Sequence, residues 1–175
     1  MLIAGCGMLA ACSRTIVRSP AGGVRLDVPF FPDNTDQCGP SALASVLQYW
    51  KIAVTPLELK KEIYLASLKG SLPFDLLLAA QKRLPARMVN DGLDGLKNEL
   101  RSRRPVIACI NRLAEWLPAD HYIVVVGYDE ARAGIYAHSG LHANVFIPYR
   151  KFLREWKKTD YWALYVSSAA AKSPA

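Results

Sequence analysis

The chain has 175 residues, of which 51% are hydrophobic and 21% charged, and a formal net charge of +7. That balance fits one globular domain with one core and excludes a disordered chain or a body that crosses the membrane repeatedly. Its Lys and Arg run from Arg14 to Lys172 without forming a patch, so no nucleic acid is expected as a partner, and anionic lipid headgroups are the better use of the charge.

Residues Met1 to Ala11 are small or apolar and uncharged, and the run closes on Leu9-Ala10-Ala11-Cys12-Ser13 before the composition turns polar. An apolar run ending in small residues is the pattern of a secretory signal, and this one resembles the lipobox of bacterial lipoproteins. The resemblance implies a signal segment over residues 1–12, acylation of Cys12 as the mature N-terminus, and sorting by Ser13 to the outer membrane. Cys6 has a similar setting after a stretch too short for a signal. No Lys or Arg precedes the run, which departs from the usual signal; an upstream start is the expectation that would account for it. The alternative is a buried apolar helix, against which Gly5 and Gly7 count. The expected location is the cell envelope, with the body facing the periplasm and tethered to the membrane through its lipid.

Residues 13–23 are polar, with Ser19-Pro20 and Gly22-Gly23, and read as a linker. The domain is expected over 24–166. Val24 to Phe31 alternates as a strand ending at Pro32. Pro40 opens a helix in which Leu43, Val46, Leu47 and Trp50 recur at helical spacing. Thr55-Pro56 is an N-cap and first-turn pair opening a second helix to about Leu65. Leu72 to Leu84 supplies a third and Leu93 to Arg103 a fourth. From Pro105 onward, Val106–Ile110, His121–Tyr128, Gly134–Ala137, Val145–Pro148 and Tyr161–Val166 are β-branched or aromatic runs, read as strands. One amphipathic helix, Tyr149 to Trp156, interrupts them, and residues 167–175 read as a disordered tail. Helices first and a mostly antiparallel sheet second make an α+β domain.

Cys6, Cys12, Cys38 and Cys109 form no C-x-x-C pair and no Cys/His set at ligand spacing, so no metal or other cofactor is implied and a disulfide framework is poorly supported. Gln37-Cys38-Gly39-Pro40 places a thiol at the positive end of an apolar helix, which favours thiolate, the nucleophilic form. Gly39 leaves room for a substrate backbone. The competing reading of Cys38 is a small buried hydrophobe. His121 precedes the buried-strand run Tyr122 to Tyr128, at the exit of a loop, where an imidazole faces a cleft on a rigid base. Its competing reading is a structural histidine at a strand end. Cys109, inside a strand, reads as core. A Cys38–Cys109 disulfide, which an oxidising periplasm permits, would remove the nucleophile.

Gln37-Cys38-Gly39-Pro40 with its helix, followed by His121-Tyr-Ile-Val-Val-Val-Gly-Tyr-Asp129, resembles the bacteriocin-processing double-glycine peptidase family over roughly Val24 to Val166. Val28-Pro29-Phe30-Phe31-Pro32 and Ala137-His138-Ser139-Gly140 resemble its stand-alone lipoprotein members. The resemblance implies a papain-like fold, a helical half carrying the nucleophile helix on the sheet, and a Cys38–His121 pair that cuts a peptide or protein substrate. The family's oxyanion Gln falls at Asp33 or Pro32, leaving Asn34 or Gln37 as the side-chain donor. Its orienting Asp or Asn falls at Ser139, next to His138. Three functions stay open: a cysteine peptidase, with a double-glycine-type site as the expected target; a peptidase-shaped binding module; and an acyl transferase. No phosphate-binding loop is present, so any exporter would be a separate chain.

Overall fold

The computed structural model describes residues 22–33, 36–113 and 120–168. The expected signal segment, Cys12, nearly all of the linker, Asn34 and the last seven tail positions lie outside them. The elements are β1 (Val24–Arg25), α1 (Cys38–Tyr49), α2 (Pro56–Ile63), α3 (Pro73–Gln81), β2 (Ala86–Val89), α4 (Gly92–Arg101), β3 (Val106–Asn111), β4 (Asp120–Asp129), β5 (Gly134–Ser139), β6 (His142–Pro148), α5 (Tyr149–Lys157) and β7 (Ala163–Val166).

The α+β expectation holds. Six strands follow the order β2-β7-β3-β4-β5-β6, with β1 added on β4, and every pairing is antiparallel. β4 is the spine. It pairs with β3 along Asp120–Val125 and with β5 from Val124 onward. Where β3 stops, β1 takes the same edge at Gly127 and Tyr128. A Cβ on Gly127 would sit 2.3 Å from the Val24 carbonyl oxygen, so only glycine lets β1 lie there.

Helix α1 is buried nearly all round, with Leu43, Val46 and Leu47 fully enclosed. Its small residues Ser41, Ala42, Ala44 and Ser45 allow α2, α3, β3 and β4 to approach it on several sides. The Ser45 hydroxyl, which burial would otherwise penalise, donates to the Ser41 carbonyl at 2.9 Å. α2 opens with a reciprocal cap, Thr55 accepting from the Glu58 amide while Glu58 accepts from the Thr55 amide. α5 presses Phe152 and Trp156, stacked 4.8 Å apart, into the core.

Several boundaries differ from expectation. The strand over Val24–Phe31 shrinks to two paired residues, extended by one bond from the Leu26 amide to the Val126 carbonyl; Pro29 and Pro32 have no N–H to continue the ladder. α1 begins at Cys38, two residues before Pro40, because a proline in the first turn requires no amide partner for itself and does not fix the start. β2 was not expected. It is a short outer strand, half-buried or exposed at each position, whose pairing with β7 supplies what its own pattern lacks. The chain stays attached one residue past β7, where the Ser167 amide donates to the Pro85 carbonyl, so the tail expectation begins too early.

Gly127→Ala should lower stability by about 1–3 kcal/mol, the range for forcing extra volume into a packed site. The measurements are a urea transition and hydrogen exchange at the Leu26 amide, whose protection should fall more than that of β4 itself.

Candidate active site

Cys38 is the first residue of α1, and the first helical hydrogen bond runs from the Ser41 amide to the Gln37 carbonyl at 3.0 Å. Gln37 caps the helix through its backbone alone, with no side-chain hydrogen bond to the first turn. The Cys38 sulfur receives backbone hydrogen bonding from Tyr122, from Gly39 and from its own amide. Tyr122 is the neighbour of His121 on β4, so the helix start and the histidine strand meet at the thiol. The Tyr122 side chain crosses to the far wall and donates to the Ser71 carbonyl at 3.1 Å.

His121 is half-buried at the second position of β4, with its Nε2 3.0 Å from Ser139 Oγ at the end of β5. Ser139 Oγ also accepts from Arg112 Nη2 at 2.5 Å. A guanidinium can only donate, so this oxygen is an acceptor on one side, and its second lone pair can take the Nε2–H. That tautomer leaves Nδ1 unprotonated and able to take a proton. Among the described residues no hydrogen bond joins the Cys38 thiol to His121, a looseness common before substrate is bound.

The charges around this pair run opposite to the expectation of a stabilised thiolate. Burial, followed by the Asp33 carboxylate, pushes the Cys38 thiol up, and the backbone donors around the sulfur do not offset it. Burial and the Arg112 guanidinium push His121 down to about 4, with Asp33 acting weakly the other way. The resting pair is therefore a neutral thiol beside a neutral imidazole: desolvation outweighs the helix end.

An open cleft lies against Cys38, lined among others by Asp33, Ser41, Tyr122, His138 and Ser139, and His121 reaches its edge through the bond to Ser139. Of the expected site residues, Cys38, His121 and Ser139 are thus brought together. Gln37 does not line the cleft, and its amide donates to Asp33 Oδ1 at 3.3 Å. Asn34 lies outside the described residues. Gly39 has a different job from the expected one. It is buried, and a Cβ there would meet Ser71 Cβ at 3.0 Å and Leu76 Cδ1 at 3.2 Å, so its smallness admits the chain's own Ser71 loop and not a substrate.

The other candidates separate cleanly. His138 accepts from the Asn144 amide at Nδ1, which places its proton on Nε2, 3.0 Å from the Val28 carbonyl. Both ring nitrogens are spent on structure. His142 starts β6 in an exposed position. Cys38 and Cys109 are both free thiols, and Cys109 is buried, its thiol pushed up by burial. Sequence reasoning missed Arg112. The signal was the β3–β4 register, which pairs Asn111 with Asp120 and so delivers the residue after β3 to the end of the sheet that holds His121.

The sequence profile of the Peptidase_C39-like family matches residues 25–164, most of the chain and the whole of this site. The chain belongs to that family. Among solved structures it is similar to a protein from Bacillus anthracis described as a C39-like peptidase, at 20% identity and a TM-score of 0.70, covering 83% of this chain and 96% of that one. It is also similar to a double-glycine-motif protease from an AMS/PCAT transporter, solved with its leader peptide, at 22% identity and a TM-score of 0.64 over 82% of this chain and 94% of that one. The peptidase domain of Streptococcus ComA, a bifunctional ABC transporter, gives 18% identity and a TM-score of 0.62 over 81% and 97%. At these identities the likeness is one of fold. Among curated proteins none matches the chain. The expected papain-like peptidase architecture is thereby met.

Two substitutions test the local physics of this C39-like site. Asp33→Asn removes a negative charge that favours the protonated thiol, so the midpoint of Cys38 alkylation against pH, which burial raises above the ordinary thiol range, should move down. Mass mapping of the Cys38 peptide reads it. Gly39→Ala should destabilise by about 1–3 kcal/mol by pressing on Ser71 and Leu76, measured by urea unfolding.

Proposed function

We propose that this C39-like protein is a cysteine peptidase in which Cys38 attacks a peptide carbonyl, His121 is its base and Ser139 holds the imidazole. The observation that carries this reading is the Nε2–Ser139 hydrogen bond, which holds the ring on the strand whose next amide touches the Cys38 sulfur; with the proton on Nε2, Nδ1 is left as the acceptor. Because the resting pair is neutral, the thiol proton passes to Nδ1 as the carbon–sulfur bond forms, and no standing ion pair is needed. The imidazolium then gives that proton to the leaving amine. A water, deprotonated by the same nitrogen, releases the thioester. The Cys38 amide, with Gln37 or Asn34, is the proposed donor set for the oxyanion. By analogy with the leader-bound double-glycine protease, a peptide cut after small residues is the proposed substrate class, and any exporter would be a separate chain. Anchoring through a lipidated Cys12 at the periplasmic face of the envelope, outer membrane favoured, completes the proposal and places the protein among stand-alone lipoprotein members.

A second reading has its own support. Asp33 opposes negative charge growing on the thiol and Arg112 opposes positive charge growing on the imidazole. Those signs would suit a peptide-binding module that cuts slowly or not at all.

The deciding experiment is turnover of an acetylated Gly-Gly-containing peptide by the full chain. Under the peptidase reading Cys38→Ala abolishes cleavage and His121→Ala lowers it by about 100-fold to 10,000-fold, the range for a general base. A base working with a pKa near 4 is neutral above that value, so kcat/KM should hold as pH falls past 6 and be lost only near 4. Binding that survives Cys38→Ala, with no turnover by the native chain, would establish the module instead.

A further inference from the structure

The cation beside His121 points to the substrate class, on the assumption that the peptidase reading is right. Arg112 follows the last residue of β3, and its side chain is exposed apart from the one hydrogen bond it makes to Ser139. No carboxylate pairs with it among the described residues. Asp120, which is nearby at the start of β4, accepts from Asn111 Nδ2 at 3.3 Å, and neighbouring strand residues point to opposite faces. A guanidinium with open donors is shaped for bidentate contact with a carboxylate.

Direction follows from the chemistry. His121 must deliver its proton to the leaving amine, so the part of the substrate released as that amine lies on the imidazole side of Cys38. Arg112 lies further along the same side, reached through Nε2 and Ser139. We propose that Arg112 forms a carboxylate subsite on the leaving-group side of Cys38, so that a substrate carboxylate just beyond the scissile bond offsets the cation beside the base. The bound carboxylate neutralises the guanidinium, and the imidazolium that forms during attack is no longer opposed. The carboxylate comes either from an Asp or Glu side chain or from the C-terminus of a short leaving fragment.

The test uses the full chain and two kinds of probe. First, Cys38 is alkylated with iodoacetate and with iodoacetamide, and the ratio of the two rates is compared between the native protein, Arg112→Gln and Arg112→Lys. The ratio divides out the thiolate fraction, which the substitutions also change. A carboxylate subsite predicts that the ratio falls about tenfold in Arg112→Gln, one pKa unit's worth of interaction, and recovers largely in Arg112→Lys. An unchanged ratio overturns the proposal. Second, kcat/KM is measured for acetylated Gly-Gly peptides continuing as Ala-Ala amide, as Ala-Ala free acid or as Glu-Ala amide. A preference for either charged peptide that disappears in Arg112→Gln supports the subsite and tells the two carboxylate sources apart. Equal cleavage of all three overturns the subsite and leaves the peptidase intact. Cleavage of none counts against the peptidase, and the alkylation ratio then decides the subsite alone.

Discussion

Everything at the candidate site hangs on one contact, the first turn of α1 set against the second and third residues of β4. It puts the Cys38 sulfur on the Tyr122 amide and makes the strand that carries His121 the wall for the helix that carries the thiol. Both partners are held from behind. α1 is enclosed on nearly all sides, and β4 is paired with β3 through His121 and Tyr122 and with β5 from Val124 onward. A packed interior deforms little, so the separation of thiol and imidazole is set by the core and not by the loops. The glycine beside the nucleophile belongs to this support: it lets Ser71 close over the helix start.

The same burial that fixes the pair also governs its electrostatics. A helix terminus offers partial charge, worth on the order of 1 kcal/mol at an exposed site, while loss of water around a thiol acts against the anion more strongly. The charged neighbours then fall on the inconvenient sides, Asp33 toward the thiol and Arg112 toward the imidazole. Membership of the C39-like family therefore describes the scaffold and the placement of a thiol and an imidazole. It leaves the charge state of the pair to its neighbours Asp33 and Arg112.

Much of this was legible in the sequence where one residue's neighbours along the chain decide its state. Thr55-Pro56 marks a helix start by local chemistry alone, and the apolar runs from Val106 to Tyr128 can be little else than strands. Cys38 and His121 stood out because each sits at the boundary of such an element. What was not legible depends on partners distant in the chain. β2 is a strand because β7 pairs with it, and its own Ala86–Val89 has no alternation to show. Gly39 looked like an opening for substrate until Ser71, far along the chain, was found in that space. Arg112 becomes important only when the β3–β4 register and the end of β5 bring Ser139 between it and His121.

His138 has a consequence of its own. Its ring bridges the Val28 carbonyl and the Asn144 amide, fastening the segment that leads into Cys38 onto the hairpin of β5 and β6. The bridge works only while Nδ1 is bare, since a second proton would set two N–H groups against each other. Burial holds that proton off below the ordinary histidine range. The clasp on the approach to the nucleophile is thus made of a group whose grip is conditional on acidity, and strong acid would undo it before the hydrophobic core beneath had any reason to open.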